Sequence, residues 1–131
     1  MVDNPLNLLG APIWQAKAAF GTDGIRGKIG TVLTPAIALK VGYLFGLITK
    51  KDGPVLIGMD SRTSGVILTS ALTSGLTAAG REVWNLGLCP TPAVPGLIRK
   101  LSAAGGLMVS ASHNPPEWLG LKIKGPLGGS V

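Results

Sequence analysis

The sequence predicts an α/β fold, a three-layer α/β/α sandwich around a largely parallel, mixed sheet. Short apolar runs recur at Val55-Leu56-Ile57, at Val83-Trp84 with Leu86, and at Leu107-Met108-Val109. Segments with helical period separate these runs, and turn residues bound them. Strands alternating with helices of this length make βαβ units, and βαβ units make a mainly parallel sheet.

Each element has its own signal. Residues 1–19 carry no clear period and are expected to be a flexible lead-in, with residues 20–131 forming one domain. Thr34-Pro35 supplies an N-cap followed by proline at the first helical position. Ile37, Val41, Leu44, Phe45 and Ile48 then mark one helix face. The second helix opens near Thr63-Ser64, buries Leu68, Ala71, Leu72, Gly75, Leu76 and Ala79, and is closed by Gly80. The third opens at Thr91-Pro92 and runs through Val94, Leu97, Ile98 and Leu101. From Gly125 to Val131 the chain holds turn residues and no closing element, so it is expected to stop where a longer protein would continue.

Composition narrows the function classes. With 131 residues, 46% hydrophobic and 14% charged, the chain is expected to be one globular domain with a sizeable core. The apolar stretch from Thr31 to Thr49 is broken by Lys40 and by Gly42 and Gly46. It falls short of the roughly 18 uninterrupted apolar residues of a membrane helix, so no membrane association is expected. No basic segment leads into an apolar one at the N-terminus, and no secretory signal is expected. The single cysteine, Cys89, cannot form an internal disulfide and points to a reducing, cytoplasmic setting, where it serves as a small buried hydrophobe. Twelve Lys and Arg against six Asp and Glu give a net charge of +6, but the basic residues are scattered and aromatics make up only 5%. That pattern suits phosphorylated small molecules better than nucleic acid, which needs stacking platforms and a basic patch.

Four clusters carry candidate chemistry. Ser110-Ala111-Ser112-His113-Asn114-Pro115-Pro116 contains the only His and follows the third apolar run. Asn-Pro-Pro ends that strand, which leaves the polar residues at its C-terminal mouth, where α/β sheets place ligands. A hydroxyl beside an imidazole is the minimal kit for an activated or phosphorylated nucleophile, though the same residues also suit a turn closed by an Asx-type hydrogen bond. Phe20-Gly21-Thr22-Asp23-Gly24-Ile25-Arg26-Gly27 reads as a Gly-rich hairpin or as a binding loop. Gly58-Met59-Asp60-Ser61-Arg62-Thr63-Ser64-Gly65 joins a strand end to a helix start. Free N–H groups, the helix dipole and Arg62 make an anion site there, while Asp60 or Ser64 also fits as a simple helix cap. Gly120-Leu121-Lys122-Ile123-Lys124 puts two lysines on one side of a strand, either as a solvated face or as a catalytic pair.

Together, in order and at natural spacings from about Phe20 to Lys122, these clusters resemble domain 1 of the α-D-phosphohexomutases. The bacterial phosphoglucosamine mutase branch is the most similar. The resemblance implies the fold of that domain and a reaction that interconverts glucosamine 6-phosphate and glucosamine 1-phosphate through a 1,6-bisphosphate. It implies that Ser112 is phosphorylated and passes its phosphoryl group to the sugar, with His113 and Asn114 completing the loop. Lys122 and Arg26 would handle protons or offset charge near the sugar hydroxyl, Arg62 would support the serine, and Thr22 would contact substrate or its phosphate. It further implies Mg²⁺, held in part by the phosphoryl group on Ser112, and glucosamine or glucose 1,6-bisphosphate as intermediate or activator. Ser110, at the end of the apolar run, is expected to turn its hydroxyl into or along the sheet.

The sequence departs from the family in two places. Trp118-Leu119-Gly120 stands where the family has Asn before the glycine. The Asp-Gly-Asp-Gly-Asp metal loop, the sugar-specificity loop and the distal phosphate loop have no counterpart, and six singly scattered acidic residues do not build a three-carboxylate site. The chain is therefore expected to be the phosphoserine domain of such an enzyme, inactive alone, binding phosphorylated hexose or hexosamine and self-associating through an uncovered interdomain face. A catalytically silent assembly module and domain 1 of a phosphoglucomutase or phosphomannomutase are the alternatives.

Overall fold

The computed structural model describes residues 20–21, 24–28, 34–60, 62–110 and 118–129. The elements run β1 (Phe20–Gly21), β2 (Gly24–Lys28), α1 (Pro35–Ile48), β3 (Val55–Met59), α2 (Arg62–Ala78), β4 (Val83–Leu88), α3 (Ala93–Leu101), β5 (Gly105–Ser110) and β6 (Trp118–Lys124). The lead-in assigned to residues 1–19 lies outside the described residues.

The strands form one sheet in the order β1-β2-β6-β5-β3-β4. Its parallel part, β4-β3-β5, is built from the three predicted apolar runs and the helices between them. Its other part, β5-β6-β2-β1, is antiparallel. The connection from β5 to β6, residues 111–117, is too short for a parallel crossover, which needs about a dozen residues or more, so the chain returns antiparallel. The α/β class and the mixed sheet stand as expected, with the parallel character concentrated at one side.

Alternation along the strands divides the core into two layers. On one face Val55, Ile57, Leu107, Val109 and Leu121 pack with Ala38, Val41 and Phe45 of α1 and Leu68, Leu72 and Leu76 of α2. On the other, Leu56 and Met108 pack with Val94 and Ile98 of α3 and with Ala103. Helices thus cover both faces, as the sandwich requires.

The helix boundaries follow local chemistry. Thr34 Oγ1 accepts from the Ile37 N–H at 3.1 Å, and Pro35 opens α1. Gly80 takes φ +87, its N–H donates to Thr77 and the Arg81 N–H donates to Leu76, a left-handed closure that favours glycine. At α3, Pro92 occupies the cap position and offers no side-chain bond, so the helix begins one residue beyond the predicted Thr91-Pro92 start.

Two predicted inward residues are corrected. Ile48 and Leu101 are each the last residue of their helix and are exposed, because the chain leaves the helix at the next residue, Thr49 extended and Ser102 left-handed. The buried stripe of α1 is instead Ala38, Val41, Gly42, Phe45 and Gly46. Small residues face α2 because the two backbones touch: a Cβ at Gly75 would meet the Leu39 carbonyl and lie 2.7 Å from the Tyr43 nitrogen. The tail closes in a turn, with the Gly128 N–H donating to Gly125 at 2.9 Å and the Gly125 N–H to Gly129 at 2.8 Å. Among the described residues no helix is long and apolar enough to cross a membrane.

Candidate active site

The site is the edge of the sheet where β3, β4 and β5 end together. Parallel pairing sets Met59 level with Val109 and with Leu88, so the residues after each strand emerge side by side. The Asp60 N–H donates to the Val109 carbonyl at 3.1 Å and the Cys89 N–H to the Met59 carbonyl at 2.9 Å, extending the ladder one step past the strands. Ser110 Oγ donates to Asp60 Oδ2 at 2.7 Å, and Ser110 is 3% exposed. Its hydroxyl is therefore turned along the sheet, as its place at the strand end predicts.

From this edge the chain leads in two directions. After Asp60 it enters α2, whose first residue is Arg62, so the predicted strand-to-helix junction is present with its helix N-terminus at the strand mouth. After Ser110 it enters the segment that carries Ser112, His113 and Asn114. These three residues lie outside the described ones, as does Thr22. The chain re-enters the sheet at Trp118, and Gly120 pairs with Ser110, so this segment leaves and rejoins at the same edge.

Register places the predicted cations at different depths. Arg26 pairs with Gly120, and Gly120 with Ser110, so the backbones of Arg26 and Ser110 share one row across three strands. Lys122 pairs with Gly24 and Met108, two residues further along. That is about 7 Å from the Ser110 row. Lys122 is half-buried and, with Lys124, lies on the sheet face that holds Met108, so the two lysines do share a side. Gly21 and Gly24, which flank Thr22 and Asp23, pair with each other as the ends of a tight hairpin at the Lys122 level. The Gly-rich segment is thus a hairpin that carries Arg26 toward the strand mouth.

Cys89 completes the edge. Burial pushes its thiol above the ordinary value of 9.0, a backbone hydrogen bond at Met59 partly offsets this, and the nearby Asp60 carboxylate pushes it up again. The thiol therefore gives up its proton less readily than a free cysteine, and it is half-buried against the Leu56, Val94 and Ile98 layer rather than buried as expected. The Asp60–Ser110 bond is the feature that sequence reasoning missed. Its signal was present, since each is the first polar side chain after a buried apolar run, but their pairing depends on which strands are neighbours.

Residues 17–131 match the family described as "Phosphoglucomutase/phosphomannomutase, alpha/beta/alpha domain I". The chain belongs to this family. Among curated relatives, a phosphoglucosamine mutase of Prochlorococcus marinus (strain MIT 9303) is 67% identical over 131 residues, all of this chain and 28% of that protein. A phosphoglucosamine mutase of Synechococcus sp. (strain CC9902) is 63% identical over the same length, again 28% of that protein. A crystal structure of a phosphoglucomutase/phosphomannomutase family protein from Burkholderia thailandensis superposes with a TM-score of 0.79 at 31% identity, covering 88% of this chain and 28% of that one. The chain thus spans between a quarter and a third of the length of the phosphohexomutases it matches, and the matched part is their α/β/α domain I.

Proposed function

We propose that the chain is the phosphoserine-bearing domain of a phosphoglucosamine mutase, which interconverts glucosamine 6-phosphate and glucosamine 1-phosphate through a 1,6-bisphosphate. The observation that carries this reading is 67% identity over the whole chain to relatives bearing that name. The solved structures described as "putative phosphomannomutase" and "Phosphoglucomutase/phosphomannomutase family protein" are 38% and 31% identical, well below 67%, which makes them the weaker match.

In this reading Ser112 holds the phosphoryl group. The P–O bond to its Oγ breaks as a bond forms from phosphorus to a sugar hydroxyl oxygen, and the hydroxyl proton passes to a base. Transfer from the bisphosphate back to Ser112 is the same step reversed. A phosphoserine carries about −1.5 to −2 charges, so cationic and N–H donors must gather around it. Arg26, in the row of Ser110, and Arg62, at the helix N-terminus beside the same edge, are the supporting cations. Lys122 acts from two rows deeper, toward the sugar hydroxyl. His113 and Asn114 complete the loop, and Thr22 contacts phosphate.

Mg²⁺, which the family resemblance implies, finds no carboxylate cage here. Among the described residues, no three of His, Cys, Asp and Glu lie close enough to hold an ion. Ser112, through its phosphoryl group, is the ligand proposed from this chain. A cytoplasmic setting and a phosphorylated hexose or hexosamine as partner belong to the same proposal, supported by the single cysteine and the scattered positive charge.

Incubation with glucosamine 1,6-bisphosphate followed by site-mapping mass spectrometry tests the assignment. Phosphate is expected on Ser112 and absent from Ser112→Ala. Phosphate on Ser110, whose hydroxyl is buried and bonded to Asp60, would overturn it.

A further inference from the structure

Ser110 lies two residues before the proposed nucleophile, and the proposed reaction gives it nothing to do. It is nevertheless buried, and its hydroxyl donates to a carboxylate across 50 residues of sequence. The strands it belongs to do not need that bond. β3 and β5 are already joined in continuous register from Val55 opposite Gly105 to Met59 opposite Val109, and the Asp60 N–H adds one more bond at Val109. The Ser110–Asp60 bond acts where this ladder stops.

Position gives the bond its meaning. On one side Ser110 is held by β6, through its pairing with Gly120. On the other side the β3 backbone has already turned toward α2, and Asp60 reaches back as a side chain in place of the missing main-chain rung. Ser110 is thereby held from both flanks at the last point before the chain enters the segment containing Ser112. The same bond fixes Asp60, two residues before α2 begins, so the nucleophile's take-off point and the helix N-terminus are tied to each other directly.

We propose that Asp60 and Ser110 form a positioning pair that fixes the end of β5, from which the chain runs on to Ser112, relative to the start of α2. This rests on the reading of Ser112 as the phosphoryl carrier. In-line phosphoryl transfer is sensitive to placement, and a misplacement of about 1 Å costs on the order of 10²-fold in rate. A hydrogen bond to an ionised carboxylate is the stronger kind, suited to holding such a point.

Amide hydrogen exchange on the intact chain, together with the rate of phosphate uptake from glucose 1,6-bisphosphate, tests the pair in Ser110→Ala and Asp60→Asn. In Ser110→Ala, peptides covering residues 108–118 are expected to exchange about tenfold faster or more, while α1 and β4 stay at the parent rate. Asp60→Asn keeps an acceptor oxygen without the charge and is expected to fall between the two. Uniform acceleration throughout the core, or no change in 108–118, would mean a structural role only and overturns the proposal. So does unchanged uptake at Ser112 in Ser110→Ala. Where the parent chain takes up no phosphate, the exchange pattern alone decides the pair.

Discussion

Arg81 donates its Nε–H to the carbonyl of Gly46 at 3.0 Å, joining positions 35 residues apart. The same guanidinium donates from Nη1 to Lys51 at 2.8 Å and from Nη2 to the Thr49 carbonyl. One side chain thus collects three main-chain acceptors around the C-terminus of α1, where carbonyls lack helical partners and the dipole favours a cation.

Arg81→Ala is therefore expected to destabilise the fold by about 2–3 kcal/mol, the range for losing hydrogen bonds to a charged group. Arg81→Lys should recover only part of this, because an ammonium cannot reproduce the planar fork. Urea unfolding of the three proteins measures it. Equal stability of the Lys and parent forms would show that charge alone matters.

Gly75→Ala is expected to cost about 3 kcal/mol or more, or to prevent folding. Its new methyl would meet backbone atoms of Leu39 and Tyr43, which cannot rotate aside as a side chain would. Gly96→Ala, where nothing lies within 4 Å of the added carbon, is the matched control and should be neutral or slightly stabilising. Thermal denaturation of both variants checks the contrast.

The Cys89 thiol should alkylate more slowly at pH 8 than a free cysteine. Its proton is held above the ordinary value by burial first and by Asp60 in addition, so less thiolate is present at that pH. The rate is expected to keep rising through pH 9 rather than level off there. Iodoacetamide kinetics from pH 7 to pH 10 read this out, and a plateau below pH 9 would contradict it.

The 131-residue chain by itself is expected to give no mutase turnover in a coupled assay, since it spans 28% of the relatives that carry the name. It is also expected to self-associate. β4 ends the described sheet and exposes Trp84 at 42% and Leu88 at 45%, and Leu101 and Leu127 are exposed as well. Light scattering over a concentration series tests the second point. Mg²⁺-dependent activity lost in Ser112→Ala would refute the first.

What could be read from the sequence was local. Thr34-Pro35 and Gly80 mark helix ends because capping depends on residues within one turn. The three apolar runs are legible because central strands such as β3 and β5 are apolar on both faces, while β4 keeps apolar residues at an edge where Trp84 and Leu88 stay exposed. The face of α1 was read one step off, since hydrophobicity alone selects Ile48 and passes over Gly42 and Gly46. Those glycines face inward because of where α2 lies, which no local pattern states. β2 shows in the sequence only as a Gly-rich motif and β6 only by its alternating lysines, because their places depend on pairing with each other and with β1 and β5. The bulge in β4 between the residues opposite Ile57 and Gly58 does have a local mark, Asn85 and Gly87 inside the apolar run: Gly87 takes φ +70 and its N–H donates to Asn85 Oδ1 at 2.8 Å. At the site, the register row joining Arg26 to Ser110 and the Asp60–Ser110 bond both required the strand order.

That strand order has a consequence for how the molecule comes into being. The first strands are completed by the last: the β1-β2 hairpin joins the rest of the sheet only when residues 118–124 are available. On a ribosome, the β3-β4-β5 unit and its helices can assemble as soon as Ser110 has emerged, while the Phe20–Lys28 hairpin waits without β6. Closing so long a loop is slow compared with forming neighbouring pairs. The row carrying Arg26 is accordingly the final part of the domain to be built, and a chain interrupted before Trp118 would hold a finished parallel core with no place for its own N-terminal hairpin.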